Sequence, residues 1–383
     1  MWKNKRAIFP IRIRIYLAIL LICAILNWAS WVSTAFSDFY TNHIFVLWTN
    51  LLGRISGLFP FSLGERMIIA GLLWLAAGLI LVLIWIFRAA AARRNGAGHV
   101  SFKVPGVWLR ITAWLLAVIF LIMTLNCFIL YHCTPLEKTL PGYGKEYTLS
   151  DLEEFRDMVV TRCNELSGAV PRDENGDVLY EEGIDAMRKE AIESIRSLDY
   201  PRLSGYTVTP KALTFSGFIS QQHMQGYYFP FSMEANYNDV MKIMHFPSTM
   251  CHELSHTHGY IFEDDANFLG FLACISSDDP VFQYSGWLSV LNYVDNDFWY
   301  AVDKDTYYSH VKIDSIVRKD NEFLSDEAWK KVEDNAVLDT ETVKKAADTF
   351  VDTTLKVNGV ADGKVSYSHV VALLLSYFDG EWK

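Results

Sequence analysis

His252, Glu253 and His256 have the residue types and spacing that zinc-dependent hydrolysis needs, in the run Cys-His-Glu-Leu-Ser-His at positions 251–256. On an α-helix this H-E-x-x-H motif places two imidazoles one turn apart on one face, where both can bind one zinc ion. Glu253 lies about 100° round the helix, where it can take a proton from a water molecule held beside the metal. Chance produces such a motif on the order of once per hundred chains of this composition, so the residues that follow decide its meaning.

The residues after the motif predict a sharp turn and a third ligand. Gly259, three residues after His256, can adopt a left-handed conformation and end the metal-binding helix. A second helix is predicted over Glu263–Ala273, because its start is acidic and its apolar positions imply burial. Glu263 would return as the third zinc ligand and leave the fourth position open, as a catalytic site requires.

Alternatives remain open around this third ligand. Asp264 and Asp265 are weaker candidates, and Glu263 could be an ordinary acidic residue of a first helical turn. Asn267 is a candidate hydrogen-bond partner for a ligating histidine. His258 lies on another face of the helix and is expected to be a neighbour only.

The segment from His252 to Leu269 resembles the zincin signature with a glutamate third ligand. Its E-x-x-A-[DN] pattern at 263–267 resembles that of membrane zinc endopeptidases of the heat-shock and prenyl-protein-processing type. The whole chain more closely resembles the bacterial membrane family catalogued as domain of unknown function 3810. The matching stretches are this metal-binding block, Pro60–Glu65, Gly226–Phe231 and Glu234–Asn236. The resemblance implies a metallopeptidase-like site but no substrate, and the short interval before the third ligand is closer to metzincin spacing.

Three long apolar stretches predict membrane-spanning helices over about Ile15–Phe36, Met67–Phe87 and Ile111–Tyr131. Each has about the length needed to cross a bilayer as a helix, ~20 residues. Tryptophan and tyrosine residues lie toward their ends, as expected at membrane interfaces. The alternative for the first stretch is a cleaved signal peptide, with a cleavage site in Ser33-Thr34-Ala35. The lipid bilayer is therefore an expected partner.

The basic residues predict the orientation of these spans. The N-terminal segment and the second loop carry five Lys/Arg residues each, whereas the first loop, Ser37–Arg66, carries two. The positive-inside rule then places the N-terminus in the cytoplasm and everything after about His132 outside. Residues 134–383 hold 22 basic and 42 acidic residues, so this part is expected to bind neither nucleic acid nor an anionic membrane surface.

Two domains are therefore predicted: a membrane domain over residues 1–133, and an extracytoplasmic α+β domain over residues 134–383 with a small sheet packed on helices. Tyr206–Tyr237 alternates like strands, and Pro230 within it favours a sheet edge. That edge could bind an extended peptide by strand addition, or be a simple exposed edge. The cysteines include no C-x-x-C pair, which argues against a zinc–thiolate site. Helices are predicted over Ser150–Leu166, Glu181–Leu198, Thr340–Val357 and Ser366–Phe378.

Peptide hydrolysis also needs a hydrogen-bond donor that stabilises the developing oxyanion. Tyrosine and histidine side chains downstream of the motif could supply it, but the chain has 19 tyrosines and the sequence selects none of them. The candidates are Tyr293, Tyr300, Tyr307, Tyr308, His310, Tyr367 and His369.

The sequence thus predicts a membrane-anchored, zinc-dependent peptidase that acts on a peptide or protein substrate. His252, His256 and Glu263 would bind Zn²⁺, and Glu253 would activate the water and later protonate the leaving amine. The alternative is a non-catalytic membrane sensor or scaffold with a structural or inactive zinc site, in which Glu253 would have no task as a base. Hydrolysis of a non-peptide amide is a third interpretation.

Overall fold

A computed structural model describes residues 10–96, 100–359 and 369–381 of the chain. Its first helices are α1 (Ile11–Val32), α2 (Thr34–Tyr40), α3 (Val46–Trp48), α4 (Arg54–Ser56), α5 (Leu63–Arg94) and α6 (Lys103–Met123). The next are α7 (Leu149–Ser167), α8 (Ile184–Ser197), α9 (Ser216–Gln221), α10 (Phe246–Thr257), α11 (Glu263–Ile275) and α12 (Pro280–Ala301). The last are α13 (Lys304–Ser309), α14 (Ser315–Asp320), α15 (Asp326–Asp334), α16 (Thr340–Val357) and α17 (His369–Phe378). The strands are β1 (Lys211–Ala212), β2 (Gly226–Phe229) and β3 (Glu234–Tyr237), so the protein is mostly helical with a small three-stranded sheet.

Helices α1, α5 and α6 are long and apolar enough to cross a membrane, which confirms the prediction of a membrane protein with three spans. The first ends at Val32, before the predicted Phe36, because Ser33 is extended and its hydroxyl accepts a hydrogen bond from Phe36 N (3.2 Å) to cap α2. The third begins at Lys103, before the predicted Ile111. Past α6 the chain continues in a π-helical turn, Thr124–Phe128.

The connection between α1 and α5 is helical and packs against the part of the chain that carries the H-E-x-x-H motif. Two π-helical turns interrupt it, at Thr41–Phe45 and Thr49–Gly53. The hydroxyl of Thr49 donates a hydrogen bond of 2.8 Å to the carbonyl of Thr257, the last residue of α10. Tyr40 and Phe45 share a buried cluster with residues that follow α6, with Met233 directly before β3 and with Ile261 in the loop before α11. Residues near the membrane therefore support the motif directly.

The sheet has the strand order β1-β3-β2, with β1 parallel and β2 antiparallel to the central β3. The registers pair Lys211 with Asn236 and Gly226 with Tyr237. β2 is thus an edge strand, which confirms the prediction made from Pro230, the residue that directly follows it. The strand-like stretch of the sequence is only partly strand, because α9 lies between β1 and β2.

Glu234, the first residue of β3, joins the sheet to the second span. Its carboxylate accepts hydrogen bonds from the backbone N–H groups of Leu63 (3.0 Å) and Gly64 (2.8 Å) in the first turn of α5. A carboxylate is favourable there because the N-terminus of a helix carries partial positive charge. The Lys211 ammonium of β1 lies 2.5 Å from the same carboxylate, and both side chains are buried. This buried ion pair holds the start of α5 against the sheet.

Helix α11 lies at the centre of the main hydrophobic core. It packs against α8, α10, α12 and α17, and α12 packs in turn against α7. Its Ala266, Leu269, Phe271 and Ala273 are fully buried, as the apolar pattern of the sequence predicts, and Phe268 is buried with them. Cys251 and Cys274 are free and buried in the same core, so they act there as small apolar residues. The core thereby fixes α11 relative to α10.

We expect Glu234→Ala to lower the free energy of unfolding by ~3–5 kcal/mol, because it leaves the Lys211 ammonium buried without its partner. Glu322 is a matched control, since its carboxylate lies 2.6 Å from the Lys242 ammonium but is 57% exposed. Glu322→Ala should cost only ~0–1 kcal/mol, as exposed pairs do. Unfolding of both variants in the same detergent measures the difference, and equal losses would contradict the stabilising role of the buried pair.

Candidate metal centre

Helices α10 and α11 form a hairpin that brings the candidate ligands together. α10 ends at Thr257, and Gly259 follows with φ +87°, the left-handed conformation predicted from the sequence. A Cβ atom at this position would lie 2.8 Å from Thr41 Cγ2 and 3.0 Å from Phe45 Cδ1, so there is no room for a side chain. The sharp reversal lets α11 start at Glu263, directly beside the histidines of α10.

The side chains of His252, His256 and Glu263 converge at one point. The two Nε2 atoms lie 3.1 Å apart, His252 Nε2 lies 3.2 Å from Glu263 Oε2, and His256 Nε2 lies 3.8 Å from Glu263 Oε1. One ligand atom from each of the three residues lies within 4.8 Å of the other two. Two imidazoles and a carboxylate are ligands that zinc accepts, with room for a fourth.

Hydrogen bonds on the far side of each imidazole orient the Nε2 atoms toward this point. His252 Nδ1 donates to the side-chain oxygen of Asn267 (2.9 Å), which confirms the contact predicted for Asn267. His256 Nδ1 donates to the backbone carbonyl of Tyr260 (2.7 Å). An amide or carbonyl oxygen only accepts, so both Nδ1 atoms carry a proton, and Nε2 is the atom through which each ring can bind a cation.

Glu253 lies beside this convergence in a confined space. A Cβ atom at Gly226 of β2 would lie 2.8 Å from Glu253 Oε1 and 2.4 Å from the carbonyl of Asn236. Only glycine therefore lets the edge strand pass so close to the carboxylate, and a glycine inside a strand is the sequence signal for such an approach. Glu253 Oε2 is buried and has no hydrogen-bond partner among the described residues. An unpaired buried carboxylate oxygen is costly, so this atom is one that a bound polar ligand would satisfy.

Burial and neighbouring charges shift the pKa values of this cluster. Burial raises the pKa of Glu253 to about 8. Burial by itself lowers the pKa of His256, but the Glu263 carboxylate raises it to about 9. Burial by itself raises the pKa of Glu263, but hydrogen bonds from His252 and His256 hold that pKa well below its usual range. The Glu263 carboxylate is thus charged and attracts positive charge to this point.

A cavity of about 910 Å³ opens onto these residues. Its walls come from the strand β2, from α10 and α12, from the C-terminal end of α6 with the turns that follow it, and from α16. Asp264 and Asp265 lie elsewhere, on the wall of a second cavity of about 420 Å³. The two ring nitrogens of the buried His258 hydrogen-bond the Arg202 carbonyl (2.9 Å) and the Thr207 hydroxyl (3.0 Å). His258 therefore faces away from the three candidate ligands, as its position on another face of the helix predicts.

Tyr293 is the one described member of the oxyanion-donor candidates that lines the main cavity. Burial raises its pKa to about 12, and the Asn267 side chain hydrogen-bonds its hydroxyl. The phenol therefore stays protonated and is linked through Asn267 to His252. Tyr300 and Tyr308 are exposed, Tyr307 and His310 hydrogen-bond Asp295 and Asp157, His369 lines the second cavity, and Tyr367 lies outside the described residues. No sequence pattern could select Tyr293, because its contact with Asn267 joins α11 to α12.

The sequence profile of one known family, described as "Protein of unknown function (DUF3810)", matches residues 40–375 of this chain. The chain belongs to the DUF3810 family. The matched range includes α5, α6, the sheet and the hairpin of α10 and α11, whereas α1 precedes it. No curated protein and no solved structure matches the chain.

We expect Asn267→Ala to weaken zinc binding by ~10–100-fold, because His252 would lose the hydrogen bond that orients its ring and fixes its tautomer. Asn296 is a suitable control, since it also lines the cavity but is exposed and makes no hydrogen bond to any of the three candidate ligands. Competition titration against a zinc chelator should give an unchanged affinity for Asn296→Ala. An unchanged affinity for Asn267→Ala would mean that His252 is not held as a ligand.

Proposed function

We propose that this DUF3810 protein is a membrane-anchored, zinc-dependent peptidase. The observation that carries the proposal is the convergence of His252, His256 and Glu263 beside the partnerless carboxylate oxygen of Glu253, at the wall of one large cavity. A purely structural zinc site has no use for a fourth residue at this position, an acid that does not bind the metal. The non-catalytic sensor or scaffold therefore explains less of the geometry.

The residues fit a zinc ion. His252 and His256 would bind it through Nε2 and Glu263 through a carboxylate oxygen, while Asn267 and the Tyr260 carbonyl hold the two rings in place. Zinc bound there would supply a Lewis acid that lowers the pKa of water and polarises a carbonyl group. Glu253 would be left free of the metal, as a general base must be.

Glu253 would move the protons of the reaction. Its carboxylate would accept a proton from the attacking water and then donate that proton to the nitrogen of the leaving amine. Gly226 of β2 lies close to this carboxylate on one side, and Glu253 also lines the cavity in which a substrate would bind. The Tyr293 hydroxyl would donate a hydrogen bond to the oxyanion that forms at the scissile carbonyl.

The edge strand β2 offers a binding surface for the substrate backbone. It pairs with β3 on one side, and it begins at Gly226, next to Glu253. An extended peptide that adds to the other side of β2 would pass the metal centre with its backbone hydrogen-bonded. Backbone recognition of this kind holds the scissile bond in place whatever the side chains are.

The site would lie outside the cytoplasmic membrane. The five basic residues of the N-terminal segment and the five of the second loop favour the cytoplasmic side for both. Three spans then bring residues 134–383, with their 22 basic and 42 acidic residues, to the outer side.

We expect Glu253→Gln to retain zinc and to lose hydrolysis by ~10²–10⁴-fold or more, because the amide keeps the size of the side chain but cannot act as a base. Glu263→Ala should instead lower the zinc content, and added zinc should restore part of the activity. Elemental analysis and cleavage of casein or a peptide library measure the two effects. Cleavage at the wild-type rate by Glu253→Gln would refute the peptidase, and full zinc retention in a His252→Ala/His256→Ala double variant would refute the ligand set.

Topology is tested by two tags. A tag after Lys383 should be removed by protease added to intact cells, because the last span carries the rest of the chain outside. A tag inserted after Asn95, at the end of α5, should be protected in the same cells. The reverse pattern would overturn the orientation drawn from the basic residues.

A further inference from the structure

We propose that the substrate is a protein anchored in the same membrane by a transmembrane helix, and that it is cut within a few residues of that anchor. This inference rests on the proposed peptidase function and names the class of its substrate. It stands on the juxtaposition of the candidate metal centre, the edge strand β2 and the outer end of the third span.

The third span forms part of the wall of the main cavity. Met123, Cys127 and Tyr131 line the same cavity as His252 and Glu253. The Tyr131 ring also contacts the ring of Phe262, with centroids 5.8 Å apart, and Phe262 directly precedes the third candidate ligand. The metal centre therefore lies beside the end of a membrane helix.

The third span carries this wall to the surface of the bilayer. The span continues past α6 to His132, and its uncharged stretch, residues 111–131, extends ~31 Å at ~1.5 Å per residue, close to the ~30 Å of the hydrocarbon core. Arg110 then lies at one interface and Tyr131, an aromatic residue typical of interfaces, lies at the other. A cavity lined by Met123, Cys127 and Tyr131 therefore extends from the apolar part of the bilayer to the level of the headgroups.

The edge strand connects the metal centre to this interface. β2 starts at Gly226 beside Glu253 and ends at Phe229, and the carbonyl of the next residue, Pro230, accepts a hydrogen bond of 2.8 Å from the Asn126 side chain. The hydroxyl of Tyr228, within β2, donates to the Asn126 carbonyl at 3.3 Å. Four strand residues extend ~13 Å at ~3.3 Å each. A substrate strand added to β2 would therefore cover the distance from the scissile bond to the membrane with about four residues.

A further wall of the cavity also ends at the membrane. Helix α16 contributes Ala347, Asp348 and Val351 to the lining. Near its C-terminal end, a Cβ atom at Gly359 would lie 3.3 Å from the ring of Trp31, the second-to-last residue of α1. A substrate chain that emerges from the bilayer can thus enter the cavity between the third span and α16, which both reach the membrane interface.

The test compares a tethered and a free reporter with the full chain, zinc-loaded, in vesicles of phosphatidylethanolamine and phosphatidylglycerol. One reporter is an unrelated single transmembrane helix followed by a randomised linker of about 25 residues and a fluorescent domain on the catalytic side. The other has the same linker and domain without the helix. We expect kcat/KM for the tethered reporter to be higher by ~10²-fold or more, since the anchor confines reporter and enzyme to the same membrane and so raises the effective concentration of the linker at the site.

Mapping the cuts by mass spectrometry locates them relative to the anchor. Cuts should lie about four to eight residues from the end of the reporter helix, as the length of β2 requires. Equal cleavage of both reporters, or cuts spread along the whole linker, would overturn this inference and leave the peptidase intact. If neither reporter is cleaved, or if Glu253→Gln cleaves them as fast as the wild type, the peptidase itself is refuted.

A second readout needs no turnover. In the Glu253→Gln chain, a photoreactive amino acid that replaces Met123 should crosslink to the tethered reporter and not to the free one. Val118 is the matched control, because it is exposed on the same helix, five residues away and therefore about 140° round it. Equal crosslinking from both positions would mean that the third span is not part of the substrate path.

Discussion

The reversal of the chain between α10 and α11 is the constraint on which the candidate site depends. H-E-x-x-H on a helix can place only two imidazoles on one face, and the third candidate ligand has to come from a separate element. Gly259, with φ +87° and no room for a side chain, turns the chain within a few residues so that Glu263 starts α11 at 3.2 Å from His252. The burial of Phe268, Leu269 and Phe271 then holds α11 in place, so the hydrophobic core determines the position of the carboxylate.

The charges of the site are arranged by the same packing. Two carboxylates, the buried Glu253 and the partly exposed Glu263, lie close to two imidazoles, where charges interact more strongly than in water because less water screens them. Hydrogen bonds satisfy Glu263 and the outer nitrogens of both rings, whereas one oxygen of Glu253 has no partner among the described residues. The difference between the two acids suits two tasks, one in binding a cation and one in moving a proton.

The membrane part of the chain contributes to this site and is more than an anchor. Glu234 links the sheet to the start of α5, and the Asn126 side chain links the residue after β2 to the end of α6. The helical connection between α1 and α5 also supports the end of α10. The segments that carry the DUF3810 resemblance therefore meet in space, since Pro60–Glu65 contacts Glu234 and Gly226 contacts Glu253. Membrane contacts and site geometry are therefore coupled.

Local features of this protein could be read from the sequence, because they depend on helical periodicity, hydropathy or the freedom of one residue. These features are the three spans, the pairing of His252 with His256, the left-handed Gly259 and the contact of Asn267 with His252. The tertiary structure alone decided four other features. These are the helical connection before α5, the ion pair of Glu234 with Lys211, the selection of Tyr293 among many tyrosines, and the part of the cavity wall that the third span forms. Each of these joins residues that are distant in the chain, and no local pattern encodes which distant partner a side chain will meet.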